Sequence, residues 1–337
     1  MSESSTEIRI ILKGDSVHLE STRTNRLSSL LNRRDASDII ALMPSLFALC
    51  PAAHICAFTG AFETAESGLG MQSISILTRI EAVLETIRFF SMDLRKSLGL
   101  GSADRSILTK LSEARLRLLS SLQGQTDSAL MSDTAHLARL WLATEVDLFK
   151  AILDRSKEIE QFTLPTEAVL QNDELTNAAT LSALSVTLRD CPQFALAPRL
   201  GGARVVGAVA RRLPLGKKLI SPGEIFHARI NEIAALISGK SSLLGNHKTF
   251  FLGGKRAVSL VETARGVLMY FVERDRNTPV WVDWIAPTEW VFQPQGILTT
   301  LVQEAFQAGA SREQIAFIAA AFDACAEVIV TKEQADA

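Results

Sequence analysis

The feature that most constrains this chain is a succession of three apolar stripes at helical spacing between Thr78 and Ile159. Ile80, Leu84, Ile87, Phe90 and Leu94 recur every three or four residues over 78–98, and Gly99 follows as a helix-ending residue. A second helix is predicted over 104–122 with a break at Gly124, and a third over 134–159 with Leu137, Leu140, Trp141 and Leu148 facing inward. Helices this long must bury their stripes against one another, so the expected core is a helical bundle.

The remaining segments dress that core. Residues 7–20 read as a hairpin of two short alternating strands turning at Lys13-Gly14-Asp15. From Arg26 the period becomes helical, with Asp38 as the expected N-cap of a helix that Pro44 kinks or restarts before Cys50. Prolines and Gly201-Gly202 interrupt 162–216, which is read as a loop-rich insertion, and Ser221-Pro222 opens a helix running to Ile237. A β-rich block spans 249–290 with a hairpin turn at 274–278, and helices return over 294–323. Residues 1–337 are taken as one domain, mostly α with a smaller β-rich portion, an α+β fold.

Composition excludes several functions. A formal net charge of -2 gives no electrostatic reason for nucleic-acid binding, and the basic pairs Arg211-Arg212 and Lys217-Lys218 read as solvated surface. No apolar run approaches the roughly 20 residues needed to span a bilayer. The four cysteines lack disulfide-framework spacing and the N-terminus is polar and acidic, so a cytoplasmic protein is expected.

Two short stretches near opposite ends carry chemistry: Leu46-Phe-Ala-Leu-Cys50-Pro-Ala-Ala-His54 and Phe322-Asp323-Ala-Cys325-Ala-Glu-Val328. Thiolates suit soft metals. Taken alone, a Cys-x-x-x-His spacing is more often a buried cysteine beside a capping or core histidine. Cys56, six residues beyond Cys50, is rotated away on a helix, and Cys191 is read as a core or loop residue.

As a pair, the two stretches resemble the cysteine motifs of the nickel-iron hydrogenase large subunit, Arg-x-Cys-Gly-x-Cys-x-x-x-His and Asp-Pro-Cys-x-x-Cys-x-x-His. Cys50, His54, Asp323 and Cys325 match. Phe47 and Val328 stand where that family has its other two cysteines, and Thr331 stands for the final histidine. The likeness continues in Glu262-Thr-Ala-Arg265-Gly266, similar to Glu-Ala-Pro-Arg-Gly, and in Pro287-Thr288-Glu-Trp290, similar to Pro-Ser/Thr-Thr-Trp-Asn. The proton-relay motif Arg-x-Glu-Gly-His has no counterpart. A pattern halved at both ends resembles the HupK/HoxV type of hydrogenase expression and formation protein, a homologue of that large subunit.

The resemblance implies a scaffold or chaperone, not an enzyme, that transiently holds or protects an Fe(CN)2CO unit before it reaches the hydrogenase large subunit. Cys50 and Cys325 would be the metal ligands, Arg265 would neutralise the cyanides, Thr288 would hydrogen-bond one of them, and His54 would support the site without ligating. No nickel is expected, because two thiolates are too few for a nickel site that uses four. The implied partners are a HypC-type chaperone, the HypC–HypD complex and the large-subunit precursor. Two rival readings stand: a metal-free interaction protein that mimics the large-subunit surface, and an enzyme with a reduced metal site, against which Phe47 and Val328 count. Residues from Thr331 onward read as a polar terminus, with no proteolytic maturation.

Overall fold

The computed structural model describes residues 6–24, 26–170, 174–200, 204–212, 217–240 and 242–333. The chain opens with β1 (Glu7–Lys13) and β2 (Ser16–Ser21), turning through Gly14 at a φ of 56°. Three helices follow: α1 (Arg26–Leu31), α2 (Ala36–Leu46) and α3 (Pro51–Ser67). The short strand β3 (Gln72–Ile74) leads into α4 (Ile76–Arg88), which runs through a π-turn at Phe89–Leu94 into α5 (Arg95–Ser97). The bundle continues with α6 (Arg105–Leu122), α7 (Leu130–Thr144) and α8 (Val146–Glu158). Next come β4 (Leu164–Pro165), α9 (Ala178–Asp190), α10 (Ala208–Arg212), β5 (Leu219–Ile220) and α11 (Pro222–Ile237). Four strands, β6 (Asn246–Gly253), β7 (Arg256–Glu262), β8 (Val267–Asp275) and β9 (Thr278–Ile285), precede α12 (Pro287–Val291), α13 (Ile297–Gln307), α14 (Arg312–Ala320) and β10 (Glu327–Glu333).

The antiparallel sheet β3-β6-β7-β8-β9 is the middle layer of the molecule. Its strand β8 is buried on both faces, which is why it reads as a continuous apolar run and not as an alternation. Met269 and Phe271 face the helical bundle with Phe90, Trp141 and Phe226, whereas Leu268, Tyr270 and Val272 face a second cluster built on α2 and α3. Helix α3 lies across this sheet on small residues. A Cβ added at Gly60 would stand 2.3 Å from the His247 ring, so the glycine sets how close helix and sheet can come.

The α+β architecture expected from the sequence is the one found, and several details differ. The stretch 134–159 is two helices, because the chain leaves the helical path at Glu145 (φ -85°, ψ 39°), whose buried carboxylate takes a 2.5 Å hydrogen bond from Arg95. Pro44 sits within α2 near its last turn without breaking it, and the residue preceding α2 is Asp35, not Asp38. The segment 162–216, read as loop-rich, contains the regular helix α9, whose first N–H groups are capped by the Asn177 side chain. Thr331–Glu333 are not a free polar tail: β10 reaches Glu333 and pairs in parallel with β1, Val328 opposite Ile8 and Val330 opposite Ile10, and the rest of the expected polar terminus lies outside the described residues. Burying Val330 outweighs the charged ends of that strand, which stay at the solvent edge. Among the described residues no helix is long and apolar enough to cross a membrane.

Candidate metal centre

The first half of the site is a helix start. Cys50 is the residue preceding α3, and Pro51 takes the first helical position, where the missing N–H costs nothing. A capping side chain would ordinarily satisfy the first N–H groups, but Cys50 makes no such bond. Glu81 of α4 does this instead, its two carboxylate oxygens accepting from Ala52 at 2.7 Å and Ala53 at 2.9 Å. The Cys50 thiol is thereby left to face a cavity. Burial drives the Glu81 carboxyl up to about 8 despite those two donors. Burial, with Glu81 and Cys325 nearby, pushes the Cys50 thiol well above its ordinary range.

One turn further on, His54 is buried, with Nδ1 2.7 Å from the Tyr270 hydroxyl. Phe47 lies flat on its ring at 3.5 Å between centroids, and Trp284 meets Phe47 edge-on. Burial, reinforced by Arg23, lowers the His54 pKa to about 3, so the imidazole is neutral. The side chain that replaces a family cysteine is thus built into an aromatic stack.

The second half comes from the other end of the chain. Cys325 follows Asp323, which has a φ of 44°, and precedes β10. Its backbone N–H donates to Thr288 Oγ1 at 3.1 Å, and the same hydroxyl lies 3.1 Å from Cys325 Sγ. Arg23, on the link between β2 and α1, donates through Nη1 to Cys325 Sγ at 3.0 Å and through Nε to Glu289 at 2.6 Å.

Arg265 closes the site from the turn between β7 and β8. Its guanidinium lies 3.5 Å from Glu85 and 3.3 Å from Asp323, and its buried Nε is not aligned for any hydrogen bond. Burial works against this charge, but Asp323 and Glu85 outweigh it and hold the group protonated. Asp323 is shared with Arg229 at 2.7 Å, and the Arg229 guanidinium rests 4.5 Å over the Phe89 ring in the π-turn.

Cys50, Cys325, His54, Arg265, Arg23 and Glu289 all line one cavity of about 470 Å³, whose remaining wall is largely apolar. Four of the five residues singled out from the sequence therefore meet there. Thr288 stands behind Cys325 with its hydroxyl committed to that residue. Cys56 is held by Ser75 and Thr78 away from the cavity, and Cys191 is exposed at the end of α9. Sequence reasoning missed Arg23, Glu81 and Glu289. The two glutamates carried a signal, Glu81 as an acid inside the apolar stretch Ile80–Leu84 and Glu289 as a charge where the resembling motif has threonine. Arg23, in a polar run, carried none.

The architecture is that of the nickel-iron hydrogenase large subunit. The chain superposes on the Ni-Fe-Se hydrogenase from D. vulgaris Hildenborough in its as-isolated oxidised state with a TM-score of 0.53, 12% identity and coverage of 96% of this chain and 94% of that one. The anaerobically purified [NiFeSe]-hydrogenase of Dm. baculatum gives 0.52, 12%, 93% and 94%. No family model matches the sequence. Among curated proteins, the hydrogenase expression/formation protein HupK of Bradyrhizobium diazoefficiens is 26% identical over 89% of this chain and 88% of its own length. The chain is thus similar to HupK over most of its length and shares the fold of the hydrogenase large subunit.

Proposed function

We propose that this chain is an accessory protein of nickel-iron hydrogenase maturation that transiently holds an Fe(CN)2CO unit between Cys50 and Cys325 on its way to the large subunit. The observation that carries this reading is that the two cysteines surviving from the halved motifs line one cavity beside the under-bonded guanidinium of Arg265. The maturation role rests on the likeness to HupK together with the large-subunit fold. The donor set suits such a cargo. Among the described residues no three His, Cys, Asp or Glu side chains converge on one metal position, so a metal held here must bring ligands of its own. Two soft thiolates completing an iron that already carries three diatomics satisfy that condition. Arg265, charged and buried, is the group that would neutralise the cyanides.

In this reading the protein binds and releases and catalyses nothing. Its partners are the HypC-type chaperone and HypC–HypD complex that supply the unit and the large-subunit precursor that receives it. Infrared spectroscopy of the protein purified anaerobically from cells expressing the maturation genes tests the proposal, because cyanide and carbonyl stretches fall where protein is transparent. Bands lost in both Cys50→Ser and Cys325→Ser support it. A second reading, a metal-free mimic of the large-subunit surface, is favoured by the protonated state that burial imposes on the Cys50 thiol. It predicts no bands and undiminished complementation by the serine variants.

A further inference from the structure

A carrier with two thiols faces a selectivity problem, because divalent soft cations bind thiolates tightly and compete for any such site. The structure contains a device aimed at it. The Arg23 guanidinium is inserted between the Glu289 carboxylate and the Cys325 sulfur, 2.6 Å from the one and 3.0 Å from the other. That is the place where a cation drawn to both groups would stand. Arg23 lies outside the resemblance read from the sequence, and Glu289 departs from it, since the similar motif has threonine at that position.

We propose that Arg23, oriented by Glu289, is the specificity-determining residue of the cavity: it excludes bare metal cations from Cys325 and admits a metal whose own anionic ligands cancel its charge. The cargo named here rests on the function proposed above; the charge selectivity is a property of the chain by itself. A complex whose anionic ligands cancel the metal's charge meets no net repulsion, those ligands are attracted by Arg23 and Arg265, and its bond to sulfur replaces the hydrogen bond from Arg23. A bare divalent cation meets repulsion from Arg23 before it reaches sulfur. The repulsion has a definite sign even though the cation must displace a thiol proton, because a charge of two feels the guanidinium twice as strongly as the proton does.

The test uses the full-length protein with Cys56→Ser and Cys191→Ser, titrated anaerobically with Cd(II) and followed by the ultraviolet charge-transfer band of the cadmium–thiolate bond. Arg23→Gln is expected to bind Cd(II) at least about tenfold more tightly than the parent. Arg23→Lys, which keeps the charge, should stay near the parent, and Glu289→Gln, which removes a negative charge, should bind more weakly. A second readout is the rate at which Cys325 is alkylated by anionic iodoacetate relative to neutral iodoacetamide, a ratio that should be raised in the parent and in Arg23→Lys and fall in Arg23→Gln. Unchanged or weaker cadmium binding in Arg23→Gln, or an alkylation ratio indifferent to the charge at position 23, overturns the proposal. Infrared bands in the parent together with unchanged cadmium affinity would keep the carrier function and discard this role of Arg23. The cadmium shift without infrared bands would establish the selectivity and remove the iron unit as its purpose.

Discussion

His54 shows how one side chain changed its duty. In the resemblance it neighbours a metal; here it is clamped between Phe47 and Tyr270, buried and neutral. Its pKa is lowered from 6.5 to about 3, so the unfolded chain binds the extra proton first as pH falls. The stabilisation is therefore complete above about pH 6.5 and is lost progressively as pH falls toward 3, on the order of 5 kcal/mol across that window. Urea titrations at pH 7 and pH 4 should show the loss, and a His54→Phe variant should flatten it. Tyr270→Phe leaves the buried Nδ1 without its partner and should cost about 1–3 kcal/mol at neutral pH, read as a shift of the urea midpoint with unchanged slope. The spacing Cys50-x-x-x-His54 made the histidine visible in the sequence, but its role was not. That role depends on Phe47 folding back from the end of α2 and on Tyr270, which lies on β8, brought alongside by the packing of α3 on the sheet.

At the scale of elements, helix α3 and the sheet beneath it determine where Cys50 sits. Their separation is set by the small residues of α3, and at Gly60 there is no room for a Cβ. Gly60→Ala would drive a methyl into the His247 ring, and we expect about 1–3 kcal/mol of destabilisation by chemical denaturation. The helices were legible because long apolar stripes have few alternatives: the predicted 104–122 is α6, and Ser221-Pro222 opens α11 with a capping box. The break at Glu145 was not legible. Val146 and Leu148 continue a plausible stripe, and only the buried pairing with Arg95, fifty positions earlier, diverts the backbone. Strand β10 was hidden for a related reason. Its β-branched run Val328-Ile329-Val330 is short and flanked by charges, and it becomes a strand because β1 offers it an edge.

Over the whole molecule, the site is a joint between the two ends of the chain. Cys50 and Cys325 share a cavity because β1 pairs in parallel with β10 while α2 and α3 pack on the far side of the central sheet. A chain truncated after Ala326 keeps both cysteines yet loses the strand that anchors Cys325. We expect it to lose any infrared bands of the bound unit, and its Cys325 to become freely alkylated under native conditions, as monitored by mass spectrometry. The sequence revealed which residues to bring together through the order of its motifs. It did not reveal that a parallel strand pair does the bringing, since pairing between distant segments leaves no local periodicity to read.

The parallel pairing of β1 with β10 also bears on when the site exists during synthesis. A ribosome delivers β1, Cys50 and the whole bundle long before it delivers Cys325, so until then the nascent chain carries one of the cavity's two thiols and an unpaired strand edge. The cavity acquires its second sulfur only once the segment carrying Cys325 and β10 has emerged. A copy terminated before Cys325 therefore lacks the cavity's second thiol.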